Sequence, residues 1–469
     1  RFRLGDDCTA DFMGYDDSAW RLVTLPHDWS VEHPFDLCNA SGTGYLPGGT
    51  AWYRKHFTMP ESVTGQRVRI TFNGVYKHAR IWINSNYLGE RPYGYATFTH
   101  DITSFVRPGE NVLCVRVEHN EVADSRWFTG SGIYRDVLLE ISDPICFAVD
   151  GIFAYALSAD EEKAKVSIRY ETLGGDGAAF SLTDSSGREV ATGQTLGETG
   201  ELQLTVCRPQ LWSPESPALY KAVSKVYADN QLVDTYSTHF GIRSIEYIAD
   251  KGFYLNGEHR KFQGVCNHHD LGPLGAAINV AALRHQLTLL KDMGCDAIRT
   301  SHNMPTPELV ALCDEMGFMM MIEPFDEWDI AKCENGYHRY FDEWAERDMI
   351  NMLHNYRNNP CVVMWSIGNE VPTQCSPVGY KVAKFLQDIC HREDPTRPVT
   401  CGMDQVTCVL ANGFAAMIDI PGLNYRTQRY QESYDQLPQN LILGSETAST
   451  VSSRGVYKFP VEDKKGAKY

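Results

Sequence analysis

The stretch VVMWSIGNE, residues 362–370, decides the fold of the second half of the chain. It is a short apolar run that ends on an amide, Asn369, and a carboxylate, Glu370. A continuous apolar run of this length is typical of a strand buried on both faces of a parallel sheet. In a barrel of such strands, the polar residues that finish each strand face the active site. The stretch therefore predicts a buried strand that carries Asn369 and Glu370 to an active-site mouth.

Other segments of the second half end in the same way, with an apolar run followed by polar residues. They are GVCNHHD (264–270), CDAIRTSH (295–302), MMMIEPFDEW (319–328), PVTCGM (398–403), IDIPGLNY (418–425) and LILGSE (441–446). Between them, segments such as 278–294 and 341–357 repeat apolar residues at helical spacings of three and four. Seven strands alternating with helices predict a TIM barrel over residues 246–469. Since no apolar run follows Glu446, we expect this barrel to be truncated after strand seven and the parent protein to be longer.

The first half has a different pattern, with short runs in which apolar and polar residues alternate. Examples are RVRITFNGV (67–75), NVLCVRVEH (111–119) and AKVSIRYETL (164–173). Alternation of this kind predicts half-buried strands, and the near absence of a helical period predicts β-sandwiches. We expect one sandwich over residues 1–142 and an immunoglobulin-like sandwich over residues 143–245.

Composition excludes several classes of function. The 469 residues include 43 basic and 60 acidic side chains, a net charge of −17, which argues against nucleic acid or an anionic membrane surface as a partner. No run of eighteen apolar residues occurs, so no membrane-spanning helix is predicted. The sequence also lacks a P-loop, H-E-x-x-H and G-x-S-x-G. We expect a soluble protein of a bacterial cytoplasm or periplasm, and the sequence leaves homo-oligomer formation open.

Two glutamates are the candidate catalytic pair. Glu370 ends the fourth predicted barrel strand and Glu446 ends the seventh, so both carboxylates can face one opening although they are far apart in sequence. A surface charge or a helix cap is the alternative for either residue alone. Paired carboxylates across one mouth are typical of glycosidic bond hydrolysis.

Several motifs together resemble glycoside hydrolase family 2, above all its β-galactosidases. They are WSIGNE (365–370), GSETAS (444–449), RTSHN (299–303), GFYLNGEHRKFQGVCNHHD (252–270) and SRWFTGSGIYRDV (125–137). The resemblance covers essentially the whole chain. It implies a jelly-roll-like, sugar-binding first domain, an immunoglobulin-like second domain and a catalytic barrel, with Glu370 as acid and base and Glu446 as nucleophile. Such a pair acts with retention when the two carboxyls are ~5 Å apart.

The neighbours of the glutamates are candidate substrate-binding residues. Asn369 can donate a hydrogen bond to the sugar 2-hydroxyl, with an N-cap as the alternative role. Tyr425 resembles the tyrosine through which the family hydrogen-bonds its nucleophile, with core packing as the alternative. Arg299 and His302 end the second predicted strand, where they can contact a carboxylate or the sugar.

Three more candidates lie in other segments. Asp124 in DSRW resembles the loop through which the family hydrogen-bonds galactose hydroxyls, with a turn as the alternative. Glu323 and Trp328 follow the third predicted strand, where the indole can stack on a sugar or pack in the core. Adjacent His268 and His269 point to opposite faces of a strand, which argues against a shared metal ion.

The sequence predicts no cofactor. The β-galactosidase of this family that is best known for binding magnesium has a histidine at the position of Asp329, two residues past a glutamate, so this departure argues against magnesium. Glu323, Asp326 and Glu327 nevertheless form an oxygen-rich cluster that could hold a hard cation.

Two other functions stay open on the sequence. A β-glucuronidase or another family 2 β-glycosidase would share the glutamate pair but needs cationic groups for a uronic carboxylate. A non-catalytic carbohydrate-binding protein would use the sandwiches as lectin-like modules, and the presence of both glutamates argues against it.

Overall fold

The computed structural model describes residues 1–448 and begins with a sandwich of two antiparallel sheets. Its strands are β1 (Phe2–Leu4), β2 (Gly49–Met59), β3 (Arg67–Phe72), β4 (Ala79–Ile83), β5 (Asn86–Arg91), β6 (Phe98–Asp101), β7 (Gly109–His119) and β8 (Val137–Ser142). A five-stranded sheet in the order β1-β2-β7-β4-β5 faces a three-stranded sheet in the order β6-β3-β8. Alternate residues such as Phe72, Ile81 and Val115 are buried between the sheets, which explains the period of two seen in the sequence.

The second sandwich has seven antiparallel strands in two sheets. They are β9 (Cys146–Ala159), β10 (Lys163–Leu173), β11 (Gly177–Thr183), β12 (Glu189–Leu196), β13 (Thr199–Cys207), β14 (Tyr220–Ala228) and β15 (Gln231–Phe240). The sheet orders are β13-β10-β9 and β12-β11-β14-β15. This confirms the predicted immunoglobulin-like domain.

A small antiparallel sheet, which the sequence did not predict, comes before the barrel. It consists of β16 (Ile245–Ile248), β17 (Gly252–Leu255) and β18 (Glu258–Arg260). The Tyr247 hydroxyl donates a hydrogen bond of 3.0 Å to the Val363 carbonyl at the start of a central barrel strand. The sheet therefore contacts the barrel at the edge opposite the carboxyl ends of its strands.

The third domain is a nearly closed TIM barrel whose seven parallel strands pair in chain order. They are β19 (Gly264–Asn267), β20 (Ala297–Thr300), β21 (Met319–Ile322), β22 (Val362–Asn369), β23 (Val399–Met403), β24 (Ile420–Asn424) and β25 (Leu443–Glu446). Each lies in the segment where the sequence predicted it. The sequence also predicted that no eighth strand follows. This prediction concerns residues from 449 onward, which lie outside the described part of the chain.

Helices cover the outside of the barrel. They are α1 (Val280–Asp292), α2 (Pro307–Met316), α3 (Phe341–Tyr356), α4 (Gly379–Glu393), α5 (Val406–Ala411), α6 (Phe414–Met417) and α7 (Tyr430–Gln436). Every residue of β22 is buried, as its continuous apolar sequence predicts. The first and seventh strands approach each other, because the Cys266 thiol lies 3.3 Å from the Ser445 carbonyl oxygen. Within residues 1–448, no helix has both the length and the apolar character needed to cross a membrane.

The first sandwich is fixed to the barrel through a buried arginine. Arg135 is fully buried and donates hydrogen bonds of 2.8 Å to the Met304 carbonyl and 3.0 Å to the Pro305 carbonyl, both in the barrel. On the sandwich side it donates to the carbonyl groups of Asn73 and Tyr95. Together with the bonds described below, this brings the loop between β7 and β8 to the barrel mouth.

Candidate active site

Glu370 follows the last residue of β22 and turns out of the strand with a φ of 43°. Its backbone N–H donates a 2.7 Å hydrogen bond to the Gly402 carbonyl, which fixes this turn against the next strand. The half-buried carboxylate accepts a 3.0 Å hydrogen bond from the Asn424 side-chain amide. The predicted strand end thus presents Glu370 at the mouth of the barrel.

The surroundings of Glu370 favour its protonated form. Burial raises the pKa of this carboxyl above its usual range, and the negative charges of Asp404 and Glu446 raise it further. The Asn424 hydrogen bond and the Lys332 charge oppose the shift without cancelling it. A carboxyl with a raised pKa is suited to donate a proton to a leaving group.

The surroundings of Glu446, at the end of β25, favour its charged form instead. Its carboxylate accepts hydrogen bonds of 2.6 Å from the Arg299 guanidinium and 2.5 Å from the Tyr425 hydroxyl. Burial alone would raise the pKa of Glu446, but the Arg299 charge and the Tyr425 hydrogen bond outweigh it and lower the pKa. Glu446 is therefore held as an anion, which a nucleophile requires.

Arg299 contacts three of the other predicted site residues. Besides Glu446, it contacts Glu323 in a 2.8 Å ion pair and donates a 2.9 Å hydrogen bond to the Asn369 side-chain oxygen. Its Nε also donates to Glu323, so the planar guanidinium is surrounded by protein acceptors. The structure thus places Arg299 beneath Glu446, whose carboxylate it orients, rather than on a surface open to a sugar.

Glu323 and His302 belong to the same network. Glu323 is fully buried and accepts hydrogen bonds from Arg299, from the Ser366 hydroxyl at 2.5 Å and from His302 Nδ1 at 2.7 Å. His302 Nε2 lies 3.6 Å from Glu446. His302 borders the mouth, whereas Glu323 lies behind it and holds Arg299 and His302 in place.

The two asparagines link Glu370 to the network. The Asn369 side-chain oxygen accepts from Arg299 and, at 3.0 Å, from Asn424. The Asn369 amide nitrogen donates a 2.9 Å hydrogen bond to Asp326, which leaves one N–H of this amide. The second N–H of the Asn369 amide therefore makes no hydrogen bond within residues 1–448, and Asn369 directly precedes Glu370.

Trp328 occupies a different environment from the one that sugar binding requires. Its ring is fully buried and stacks on Phe414 with centroids 5.8 Å apart, while its N–H donates to the Ile367 carbonyl at 2.8 Å. With no exposed face, the indole cannot stack on a sugar. The expectation of a substrate contact is thus corrected to the alternative of core packing, because the residue points back under β22.

Asp124 lies on the first sandwich beside a small cavity of about 60 Å³ at the domain junction. His302 and Asp326 of the barrel line the same cavity. One oxygen of Asp124 accepts a 2.8 Å hydrogen bond from the Tyr76 hydroxyl and lies 3.2 Å from Lys77. The other oxygen is buried and has no hydrogen-bond partner in the described chain. Asp124 is thus separate from the two glutamates but has a carboxylate oxygen free to accept from a ligand.

The adjacent histidines both contact the loop between β7 and β8, but through different neighbours. The His268 ring lies 5.3 Å from Trp127 and 5.7 Å from His302 between ring centroids, whereas His269 Nε2 lies 3.1 Å from the Thr129 carbonyl oxygen. Burial lowers the pKa of His268 to about 4.

The oxygen-rich cluster does not fit a bound magnesium ion. Glu323 is already paired as described, and both oxygens of Glu327 accept hydrogen bonds, including 2.6 Å from the Lys332 N–H and 2.8 Å from the His338 N–H. Asp329 accepts a 2.5 Å hydrogen bond from the Thr373 hydroxyl. No three acidic, histidine or cysteine side chains among residues 1–448 converge in a way that could hold a metal ion.

Sequence reasoning missed two residues that shape the site. Asn424 joins Asn369 and Glu370, and its own oxygen accepts a 2.7 Å hydrogen bond from Ser445. Its signal was its position at the end of a predicted strand, next to Tyr425. Gly402 leaves the space that this network needs, because a Cβ there would lie 2.7 Å from Arg299 Nη2 and 3.1 Å from the Asn424 oxygen.

Comparison with known proteins finds relatives over nearly the whole chain. A β-galactosidase of Bacteroides ovatus is 39% identical over 98% of this chain and 60% of its own length. A putative β-glucuronidase of Formosa agariphila is 35% identical over 97% of this chain and 43% of its own length. The chain thus spans about half the length of the curated relatives it matches.

Solved structures give the same picture. A glycosyl hydrolase family 2 member from Bacteroides cellulosilyticus has a TM-score of 0.91 and 36% identity, covering 94% of this chain and 60% of that one. A β-glycosidase from Bacteroides vulgatus has the same TM-score and identity, covering 97% and 59%.

Three family models match successive parts of the chain. The sugar binding domain of glycosyl hydrolases family 2 matches residues 18–143, the model named for the family itself matches 149–243, and its TIM barrel domain matches 247–465. Since these models follow one another in the order of the three structural domains, the chain belongs to glycoside hydrolase family 2.

Proposed function

We propose that the protein is a retaining exo-glycosidase that hydrolyses terminal β-D-galactosides by double displacement. The observation that supports the proposal best is that two carboxyls lie at one barrel mouth in surroundings that shift their pKa values in opposite directions. Glu446 is held ionised by Arg299 and Tyr425, and Glu370 has a raised pKa. Environments that push two pKa values apart in this way assign one group as nucleophile and the other as acid.

In the first step, Glu446 attacks the anomeric carbon while Glu370 gives its proton to the glycosidic oxygen. The bond between the anomeric carbon and the glycosidic oxygen breaks, and the aglycone leaves. The remaining N–H of Asn369 donates to the sugar 2-hydroxyl, an interaction that strengthens in the oxocarbenium-like transition state. The Tyr425 and Arg299 hydrogen bonds hold Glu446 in line for this attack.

In the second step, water cleaves the bond between the sugar and Glu446. Esterification removes the negative charge of Glu446, and this charge is one reason for the raised pKa of Glu370. Glu370 then loses its proton readily and serves as the general base that activates the water. One residue thus acts in both steps, and the product keeps the β configuration.

The choice of a galactoside rests on Asp124. Its free carboxylate oxygen can accept a hydrogen bond from a neutral hydroxyl but would repel a uronic carboxylate. The nearby Lys77 is paired with Glu121 at 2.9 Å as well as with Asp124, so this cavity has no surplus positive charge. The resemblance of Asp124 to the galactose-binding loop of the family, and the B. ovatus relative, support the same choice.

β-Glucuronidase activity is the second candidate, because the F. agariphila relative carries that name. It needs cationic groups beside the substrate carboxylate, and Arg126 and Lys332 at the mouth share the single carboxylate of Asp326, which leaves one positive charge unbalanced in this cluster. A non-catalytic carbohydrate-binding role is a further alternative. The pairing of Glu446 with Arg299 and Tyr425 argues against it, because binding alone requires no ionised nucleophile.

Rates on a panel of 4-nitrophenyl β-glycosides test the proposal. We expect the whole protein to prefer the β-D-galactoside over the β-D-glucuronide and the β-D-glucoside. Glu446→Gln, the control, should lose several powers of ten in rate because the nucleophile is gone. Preference for the glucuronide would favour the second candidate, and equal rates for the variant and the wild type would refute the catalytic assignment.

A further inference from the structure

Arg126 lies in the loop between β7 and β8 of the first sandwich, and its side chain reaches the barrel mouth. Arg126 Nε lies 2.8 Å from one oxygen of Asp326, and Arg126 Nη2 lies 2.7 Å from the other. Two parallel N–H donors on two carboxylate oxygens form a bidentate ion pair, which fixes direction as well as distance. The carboxylate of Asp326 is therefore oriented by a residue of another domain.

Asp326 in turn contacts the residue next to the acid. Its Oδ1 accepts a 2.9 Å hydrogen bond from the Asn369 amide nitrogen and another of 2.9 Å from the Lys332 ammonium. Lys332 also donates a 2.6 Å hydrogen bond to the Asn369 backbone carbonyl. The side chain and the backbone of Asn369 are thus both held by one cluster, consisting of Arg126, Asp326 and Lys332.

The hydrogen bonds of the Asn369 amide leave a single donor for a ligand. Its oxygen accepts from Arg299 and Asn424, so the amide cannot flip without losing both bonds. One N–H donates to Asp326, and in residues 1–448 the other makes no bond to the protein. The direction of that second N–H is set by the first, because the two N–H bonds of an amide lie in one plane.

We propose that Arg126 is a positioning residue, which acts through Asp326 to direct the free N–H of Asn369 at the 2-hydroxyl of the bound sugar. The inference rests on the proposed function, since it requires a sugar at the mouth. It assigns the first sandwich a part in the transition state in addition to any contact through Asp124. Arg126 itself touches neither glutamate.

The test compares substrates with and without the 2-hydroxyl. Arg126→Met, Arg126→Lys and the control Arg339→Gln are assayed in the whole protein with 4-nitrophenyl β-D-galactoside and its 2-deoxy analogue. Arg339 pairs with Glu121 across the same domain junction, so it controls for the loss of an exposed interdomain ion pair. The Arg126 side chain is 42% exposed, and Asp326 keeps its 2.9 Å ion pair with Lys332 when Arg126 is replaced, so the carboxylate is not left without a cationic partner.

For Arg126→Met, we expect kcat/KM to fall roughly ten- to hundredfold on the galactoside and less than about threefold on the 2-deoxy analogue. Arg126→Lys should recover part of the loss because an ammonium keeps the charge but not the two-point geometry. Combining Arg126→Met with Asp326→Asn should cost little more than one change alone, since both break the same connection. Arg339→Gln should match the wild type on both substrates.

An equal loss on both substrates would overturn the inference, because it would mean a general structural role, and so would an absence of loss. The wild-type rates test the proposed function separately. If the wild type prefers another β-glycoside, the galactoside assignment fails, and the same comparison is made with that glycoside and its 2-deoxy analogue. A wild type without hydrolase activity would overturn both proposals.

Discussion

At the scale of single residues, Glu370 and Glu446 have the same side chain, but their surroundings shift the two pKa values in opposite directions. Glu446 faces a guanidinium and a phenol hydroxyl, which lower its pKa, whereas Glu370 faces an amide and two negative charges in a half-buried position, which leaves its pKa raised. Both effects depend on contacts between residues from different strands. The sequence identified the glutamates themselves, since each ends an apolar run.

Tyr425→Phe tests whether the Tyr425 hydroxyl helps to keep Glu446 ionised. The Tyr425 hydrogen bond lowers the pKa of Glu446, so its loss should raise that pKa and move the acidic limb of the kcat/KM profile to higher pH. The rate at the optimum should fall by roughly a hundredfold or more, since one oriented donor is lost. The basic limb, which reports Glu370, should stay near its wild-type position. An acidic limb that stays in place or moves to lower pH would contradict this setting.

The residues that sequence reasoning missed or misplaced have one cause in common. Asn424 and Gly402 act through neighbours that are distant in the chain, and no local pattern encodes such contacts. The same holds for Asp326, which the sequence predicted only as part of an oxygen-rich cluster. Arg299 was predicted to hold a carboxylate or a hydroxyl, and its donors face the carboxylates of Glu323 and Glu446 and the side-chain oxygen of Asn369. A strand end predicts that a polar side chain reaches the mouth, but not which groups share the space around it.

At the scale of elements, the barrel strands were predicted because each combines a buried apolar run with a polar end. The small sheet of β16, β17 and β18 was not, since its strands have three or four residues and too short a pattern to show a period. Trp328 was ambiguous for a related reason. It follows β21 outside any regular element, so no periodicity says whether the indole points to the mouth or to the core.

Trp328→Ala tests the role of this residue. Because the ring is fully buried against Phe414, we expect the free energy of unfolding to fall by about 3–5 kcal/mol. The KM of the folded variant should change little, since the ring has no open face. Denaturant titration and steady-state kinetics on the same preparation measure the two effects. A stable variant with a strongly raised KM would instead show that the indole contacts the sugar.

At the scale of the whole molecule, the domains meet through buried polar contacts. Arg135, fully buried, donates to two barrel carbonyl groups and two carbonyl groups of its own sandwich. Among residues 1–448 its guanidinium has no acidic partner, and the buried charge is tolerated there because carbonyl oxygens accept its hydrogen bonds. The alternation of sequence patterns predicted three domains in order, but the contacts that orient them come from single residues in loops.

Arg135→Met should weaken the connection between the first sandwich and the barrel. The lost bonds leave buried carbonyl groups unpaired, so we expect the free energy of unfolding to fall by roughly 3 kcal/mol or more. Arg339→Gln, which removes an exposed ion pair with Glu121 across the same domain junction, is the matched control and should cost less than about 1 kcal/mol. Calorimetry of the two variants beside the wild type measures the difference. Equal stability of both variants would mean that Arg135 does not hold the domains together.

The central claim is that Glu370 and Glu446 act as an acid/base and a nucleophile on opposite faces of the sugar. The most direct test is azide rescue of Glu370→Ala on 4-nitrophenyl β-D-galactoside, whose good leaving group needs no acid in the first step. Azide should enter the space of the missing carboxylate, accelerate turnover and give the β-galactosyl azide, identified by NMR. An α-galactosyl azide, or no rescue in a variant that still forms the glycosyl-enzyme, would contradict the two-glutamate retaining mechanism.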